Sequence, residues 1–156
     1  MRRKDREVAD QEKIDSIIRD CYCCRLGFCD QGRAYVVPLS FGFVREDGRR
    51  VFYFHSAKEG RKIDLIRRTG YAGFEMDTHY KLNESEKACG YSARFRSVIG
   101  GGSVSLVEEP EEKQAGLRAI MLQNTGKAQW EFSAEMLEAV LIFKLEVEEL
   151  SCKEHQ

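Results

Sequence analysis

The sequence predicts a mainly β fold with flanking helices, packed as a small antiparallel barrel. Three observations carry this. About six runs rich in β-branched and aromatic residues are separated mostly by turn signals. Helical patterns occur at the ends and between strand pairs, not in regular alternation with strands. No strand is followed by GxGxxG or GxxxxGK[ST], so the glycine-rich phosphate loops of parallel sheets have no signature here.

The whole chain, 1–156, reads as one domain, with a charged N-terminal lead (1–9) and a C-terminal tail (152–156) expected to be partly mobile. Asp10 is placed to cap a helix running to about Asp20, with Ile14, Ile17 and Ile18 on one face. Cys23–Cys29 reads as the first strand and Asp30–Arg33 as a turn. Ala34–Val44 reads as one long second strand. Pro38 in its middle cannot donate a ladder hydrogen bond, which implies an edge, a bulge, or a place where something other than a strand lies alongside. Asp47-Gly48 marks a hairpin, and Val51–His55 is the third strand.

The pattern then changes abruptly to helix. Ser56 reads as an N-cap, and Glu59 three residues on completes a capping box. Ile63 and Ile66 share a face, and Gly70 is a stop. Tyr71–Asp77 is the fourth strand and Thr78–Tyr91 a polar loop. Ser92–Glu108 is the fifth, with Gly100–Gly102 able to bend or bulge it. Pro110 opens a helix whose buried face carries Leu117, Ile120 and Met121, and Asn124–Gly126 ends it. Trp130 follows, Ser133 caps a short helix, and the alternation from Leu141 to Glu148 marks a final half-buried strand.

With 156 residues and a formal net charge of −1, the chain can bury a core and carries no global bias toward nucleic acid or membrane. No run approaches the roughly 18 apolar residues of a membrane span. The segment Met1–Lys13 is charged with no apolar region behind it, unlike a signal peptide. These features predict a cytoplasmic protein whose six cysteines stay reduced. A zinc site needs four well-placed thiolates or imidazoles. Cys21, Cys23, Cys24 and Cys29 lack a matching second pair, and strand alternation turns them to different faces, so no metal site is expected. No Cys–His spacing selects a nucleophile and its base.

The richest chemistry lies in Val51–Leu65. A helix N-terminus presents free N–H groups and partial positive charge. Here it also carries Lys58, Arg61 and Lys62, which suits a phosphate, although solvated charges on an ordinary turn share the pattern. His55 sits where the strand ends, either facing a ligand or bonding a neighbour.

The order YVVPLSF (35–41), FYFHSAKEGRKIDLI (52–66), FRSVIGGG (95–102) resembles the pyridoxamine-5'-phosphate-oxidase-like flavin-binding proteins, over roughly residues 1–153. It is most similar to the branch that includes the 5-nitroimidazole-resistance (Nim-type) proteins. The resemblance implies a six-stranded antiparallel split β-barrel and a homodimer with FMN at the subunit interface. It places Val37, Pro38 and Leu39 along the isoalloxazine ring, and Phe54, His55 and Ser56 against the ring and ribityl chain. Arg61 and Lys62 would hold the phosphate, with Ser97, Val98 and Ile99 near the ribityl chain and phosphate. His55 matches the histidine near the flavin's reactive face and is the candidate catalytic residue. Trp130, with Asn124 and Thr125, would come from the partner subunit. Ala34 and Phe95 depart from the usual Pro and Tyr, which leaves the substrate open. The implied activity is FMN-dependent reduction of a small acceptor, such as a nitroaromatic, with electrons from a reduced nicotinamide or other donor. The alternatives are a flavin carrier or sensor without turnover, and a split barrel holding haem or a deazaflavin.

Overall fold

The computed structural model describes residues 4–156; Met1, Arg2 and Arg3 of the charged lead lie outside them. Its elements are α1 (Gln11–Arg19), β1 (Cys24–Asp30), β2 (Arg33–Leu39), β3 (Gly42–Glu46), β4 (Arg49–Ser56), α2 (Arg61–Thr69), β5 (Tyr71–Asn83), β6 (Ser92–Val107), α3 (Pro110–Thr125), α4 (Ala134–Ala139) and β7 (Leu141–His155). The strands form one antiparallel sheet in the order β2-β1-β5-β6-β7-β4-β3.

Alternation decides which way the sheet curls. Leu26 and Phe28 of β1, Phe52 and Phe54 of β4, Phe74 and Met76 of β5 and Phe143 and Leu145 of β7 all face one core. Ile14, Ile17 and Ile18 of α1 and Ile63, Leu65 and Ile66 of α2 pack into it. β4 and β5 are not sheet neighbours, yet the Phe52 and Phe74 rings meet edge to face with centroids 5.1 Å apart. The sheet is therefore rolled. Its two end strands, β2 and β3, are joined through Ser40 and Phe41 alone. β3 pairs with β4 only from Gly42↔Tyr53 onward, which leaves Phe54–Ser56 with a free edge. β2 has a free edge as well. The barrel is split between these two edges.

The expected long second strand is two strands, so the sheet has seven instead of six. The physical reason is Phe41, which turns fully into the core and puts its ring 5.7 Å from Phe52, breaking the strand there. Pro38 lies on the edge strand, where a missing N–H is tolerated. A second correction concerns α2. It starts at Arg61, with Gly60 as N-cap at φ 133°, and not at Ser56. β4 keeps its pairing with β7 through Ser56↔Leu141, so the ladder wins over the capping box and the Ser56 side chain is buried. Third, the first part of Thr78–Tyr91 is strand: β5 runs on to Asn83 and stays paired with β6 to Asn83↔Ser92, and only 84–91 is a loop, with a 3-10 turn at Ala88–Gly90. This polar arm gave no apolar alternation to read. Fourth, the C-terminal tail expected to fray is the end of β7, paired through Phe95↔His155. Part of the lead is tied to it by the Glu7↔Lys153 bridge and a Val8 N–H bond to Cys152 O at 3.0 Å.

Other local expectations hold. Asp10 accepts the Lys13 N–H at 2.8 Å, and Ser133 accepts the Met136 N–H at 3.2 Å. Both hairpin turns place their central residues at positive φ: Gln31 and Gly32 at 52° and 79°, Asp47 and Gly48 at 47° and 77°. β6 and β7 shift register at Gly101/Gly102. α3 runs from Pro110 to its left-handed stop at Gly126 and lies on the outer face of β3 and β4.

Candidate functional site

Two expected groups lie on the strands that border the split, Val37–Leu39 on β2 and His55–Ser56 at the end of β4, and a third, Arg61–Lys62, opens α2. Arg61 links α2 to β2. Its guanidinium lies 4.4 Å from the centroid of the Tyr35 ring on β2 and donates to Asp30 Oδ2 at 2.9 and 3.1 Å. Arg68 takes Asp30 Oδ1 at 2.8 Å. Arg61 first, then Arg68, hold the Asp30 carboxyl below the usual carboxylate range. The amino end of α2 is thereby clamped to the β1–β2 hairpin.

Three groups at this end lack partners. No side chain caps α2, because its N-cap is Gly60. The Lys62 side chain, half-buried, makes no hydrogen bond or ion pair among the described residues. Ser56 Oγ is buried and unpaired among the described residues. An orphaned buried hydroxyl costs about 1–3 kcal/mol and calls for an explanation.

His55 points the other way, since neighbours on a strand alternate. It stands exposed at the mouth of an apolar cleft of about 360 Å³, walled by Leu117, Ile120 and Met121 of α3 and by Phe132 and Met136. Sequence reasoning missed Phe132 and Met136. The available signal was their apolar character beside the Ser133 cap; Met136 stays 55% exposed, a side chain its own short helix does not bury. Trp130, half-buried, donates from Nε1 to Lys127 O at 2.9 Å. Behind the cleft, Glu112 accepts from Tyr53 Oη at 3.0 Å and from Lys144 Nζ at 2.6 Å, fastening α3 to β4 and β7. Lys144 holds the Glu112 carboxyl low, while burial first, and then Glu112, raise the Tyr53 phenol.

The remaining expected residues lie elsewhere in the chain. Phe54 and Val98 are fully buried, Phe54 stacked on Phe143 at 5.0 Å, and can offer a ligand only backbone. Ser97 and Ile99 share the outer face of β6. The row Pro38↔Arg25↔Glu75↔Ile99 sets Ile99 three strands from Pro38, about 14 Å at ~4.8 Å per strand. The split thus lies between β2 and the end of β4, with α2 following β4 in the chain, and the Ser97–Ile99 segment stands away from it. Among the described residues no cluster of His, Cys, Asp or Glu could hold a metal, and no helix is long and apolar enough to cross a membrane.

Comparison with known proteins places this geometry. A family model described as pyridoxamine 5'-phosphate oxidase matches residues 10–154. The chain belongs to that family. Its members are flavin-binding split barrels, and the rolled, open sheet is that fold. Among solved structures, a protein of Bacteroides thetaiotaomicron provisionally described as a 5-nitroimidazole antibiotic resistance protein is 32% identical, with a TM-score of 0.80 over 94% of this chain and 85% of that one. An FAD- and haem-binding protein of Mycobacterium smegmatis superposes with a TM-score of 0.83 at 15% identity, over 97% of this chain and 74% of that one. A flavocytochrome of Azotobacter vinelandii gives 0.80 at 23%, over 100% of this chain and 72% of that one. The last two show the fold alone. A search of curated proteins found no match.

Proposed function

We propose that this pyridoxamine 5'-phosphate oxidase family member binds FMN at the split and serves as an oxidoreductase for a small acceptor, nitroaromatics included. The observation that carries the reading is the unpaired set at the split: the buried Ser56 hydroxyl, the uncapped start of α2 and the free Lys62 ammonium. Together they offer a phosphate a hydroxyl donor, backbone N–H groups and a cation. FMN, when bound, supplies the redox chemistry, taking electrons from a reduced nicotinamide or another donor.

The chain's own residues do the rest. Lys62 and Ser56 hold the phosphate, and Arg61, committed to Asp30, fixes the hairpin that presents β2. Pro38 gives the free edge of β2 a stretch without an N–H donor, against which a ring can lie flat. His55 orients the acceptor or supplies it with a proton, and the apolar cleft beside it excludes water. The distance of Ser97 and Ile99 from the split supports a homodimer in which a second copy delivers them, together with Trp130. The 32% identity to the nitroimidazole-resistance relative supports a nitro compound as acceptor.

The test is the visible spectrum of purified protein after adding FMN and desalting. Retained flavin bands support the reading; a colourless protein that cannot be reconstituted overturns it, and a haem spectrum would replace FMN by another group. His55→Ala should keep the colour and slow acceptor reduction, whereas full activity would remove its role. Sedimentation should show a dimer.

A further inference from the structure

At the opposite end of the strands lies a second polar cleft that the flavin reading does not use. It encloses about 330 Å³ between the ends of β5, β6 and β7, and Lys81, Arg94, Arg96, His79, His155 and Glu154 line it. Some of these groups have partners. Arg96 donates from Nε to Glu154 at 2.8 Å and approaches Asp20 at 3.5 Å, and His79 Nε2 lies 3.2 Å from Asp20. His155 faces an Arg6 nitrogen at 3.1 Å through Nε2. A guanidinium only donates, so Nε2 accepts and Nδ1 carries the hydrogen bonded to Ala93 O at 2.6 Å.

Two cations remain uncompensated. Lys81 has no side-chain partner among the described residues, and Arg94 bonds only the neutral Asn83 amide, at 2.7 Å. They are also direct cross-strand partners, Lys81↔Arg94. Like charges placed opposite each other destabilise a sheet. The backbone goes out of its way to make this pair. β5 carries one extra residue between Thr78 and Lys81, and His79 there takes φ 57°, unusual for a side-chain-bearing residue. Without that bulge Tyr80 would stand opposite Arg94 and Lys81 would face the other side. The bulge exchanges a neutral pair for a repulsive one, in a cleft where a third cation, Arg96, is already present.

We propose that this cleft is a phosphate-binding site, separate from the split, in which Lys81 and Arg94 bracket a dianionic phosphate group. A dianion matches the two unpaired charges, where a carboxylate would neutralise one. The net charge of −1 argues against a polyanion as the occupant. The phosphate can belong to a small phosphorylated metabolite or to a nucleotide.

The experiment uses protein saturated with FMN, so that the split does not compete. Inorganic phosphate, pyrophosphate and ADP are titrated calorimetrically into the wild type, Lys81→Gln, Arg94→Gln and, as a control on the same arm, Lys87→Gln. Either of the first two substitutions should weaken pyrophosphate binding by about tenfold or more, and Lys87→Gln should not. Without ligand, Lys81→Gln should melt at or up to ~2 °C above the wild type, because it removes repulsion. Tighter binding of ADP than of pyrophosphate identifies a nucleotide, and equal binding a simple phosphate ligand. Binding unchanged in both variants, equal weakening by Lys87→Gln, stabilisation matched by chloride at equal ionic strength, or a lower unliganded Tm in Lys81→Gln would each overturn the site. If the protein retains no FMN, the same titrations of the wild type and variants are made on the protein alone, so the two readings fail separately.

Discussion

Gly42 opens β3 where α3 crosses it, and a single methyl there tests how the His55 cleft is held. A Cβ built at Gly42 would lie 2.3 Å from Ile120 N and 2.4 Å from the Ala119 carbonyl carbon. These are backbone atoms of a helix, which cannot rotate away as a side chain can. Restoring a 3.4 Å contact requires α3 to lift by about 1 Å. Overpacking of this kind costs about 1–3 kcal/mol, and contact with rigid backbone puts Gly42→Ala at the upper end. At roughly 3 °C per kcal/mol for a chain of this length, Tm should fall by about 9 °C. The same displacement moves Leu117, Ile120 and Met121, the α3 wall of the cleft, so acceptor turnover should fall as well. The assay is urea unfolding followed by circular dichroism and by Trp130 fluorescence, with coincident curves as the two-state check. Gly27→Ala is the control, because its nearest neighbour would be Gly73 O at 3.9 Å; it should stay within about 0.5 kcal/mol. If Gly42→Ala unfolds at the same urea concentration as Gly27→Ala, the close approach of α3 to β3 is wrong.

Other outcomes follow from the same geometry. Lys62→Ala should weaken FMN by about tenfold to a hundredfold, read by fluorescence titration; unchanged affinity removes Lys62 from the phosphate site. Asp30 is held low by Arg61 and Arg68, so its clamp contributes stability above the unfolded carboxylate range, and the contribution disappears as pH falls through the folded value. Wild type should therefore exceed Asp30→Asn in stability near neutral pH and converge with it in strong acid, with a gap that narrows in high salt; a gap that widens on acidification contradicts the clamp. Burial pushes the Cys21 thiol up to about 12 and Cys152 to about 11, and raises Cys24, while Cys29 and Cys89 are exposed. A disulfide reagent at pH 8 should label Cys29 and Cys89 first, located by peptide mass mapping; early modification of Cys21 or Cys152 would count against the buried placement.

Legibility from sequence was uneven for physical reasons. α1 was readable because cap and apolar face are local: Asp10 is three residues from the N–H it accepts. The hairpins were readable because Asp47-Gly48 and Gln31-Gly32 suit positive φ at their own positions. Ser56 was misread because its local pattern is a good capping box, while β7, whose Leu141 lies 85 residues further along the chain, holds it in the ladder. The arm of β5 was misread because pairing beyond the core needs no apolar alternation. Phe132 and Met136 carried no motif at all, and became part of the site only when α4 was laid against α3.

The residue types and their order were enough to determine a mainly β chain, the family and the candidate phosphate end at Arg61–Lys62, since motif and alternation are properties of neighbouring residues. The tertiary structure alone decided where the barrel splits, that Ser56 and His55 serve opposite faces, and that Lys81 confronts Arg94. Each of these depends on register between strands distant in sequence, and a one-residue bulge is enough to reverse which side chain faces which.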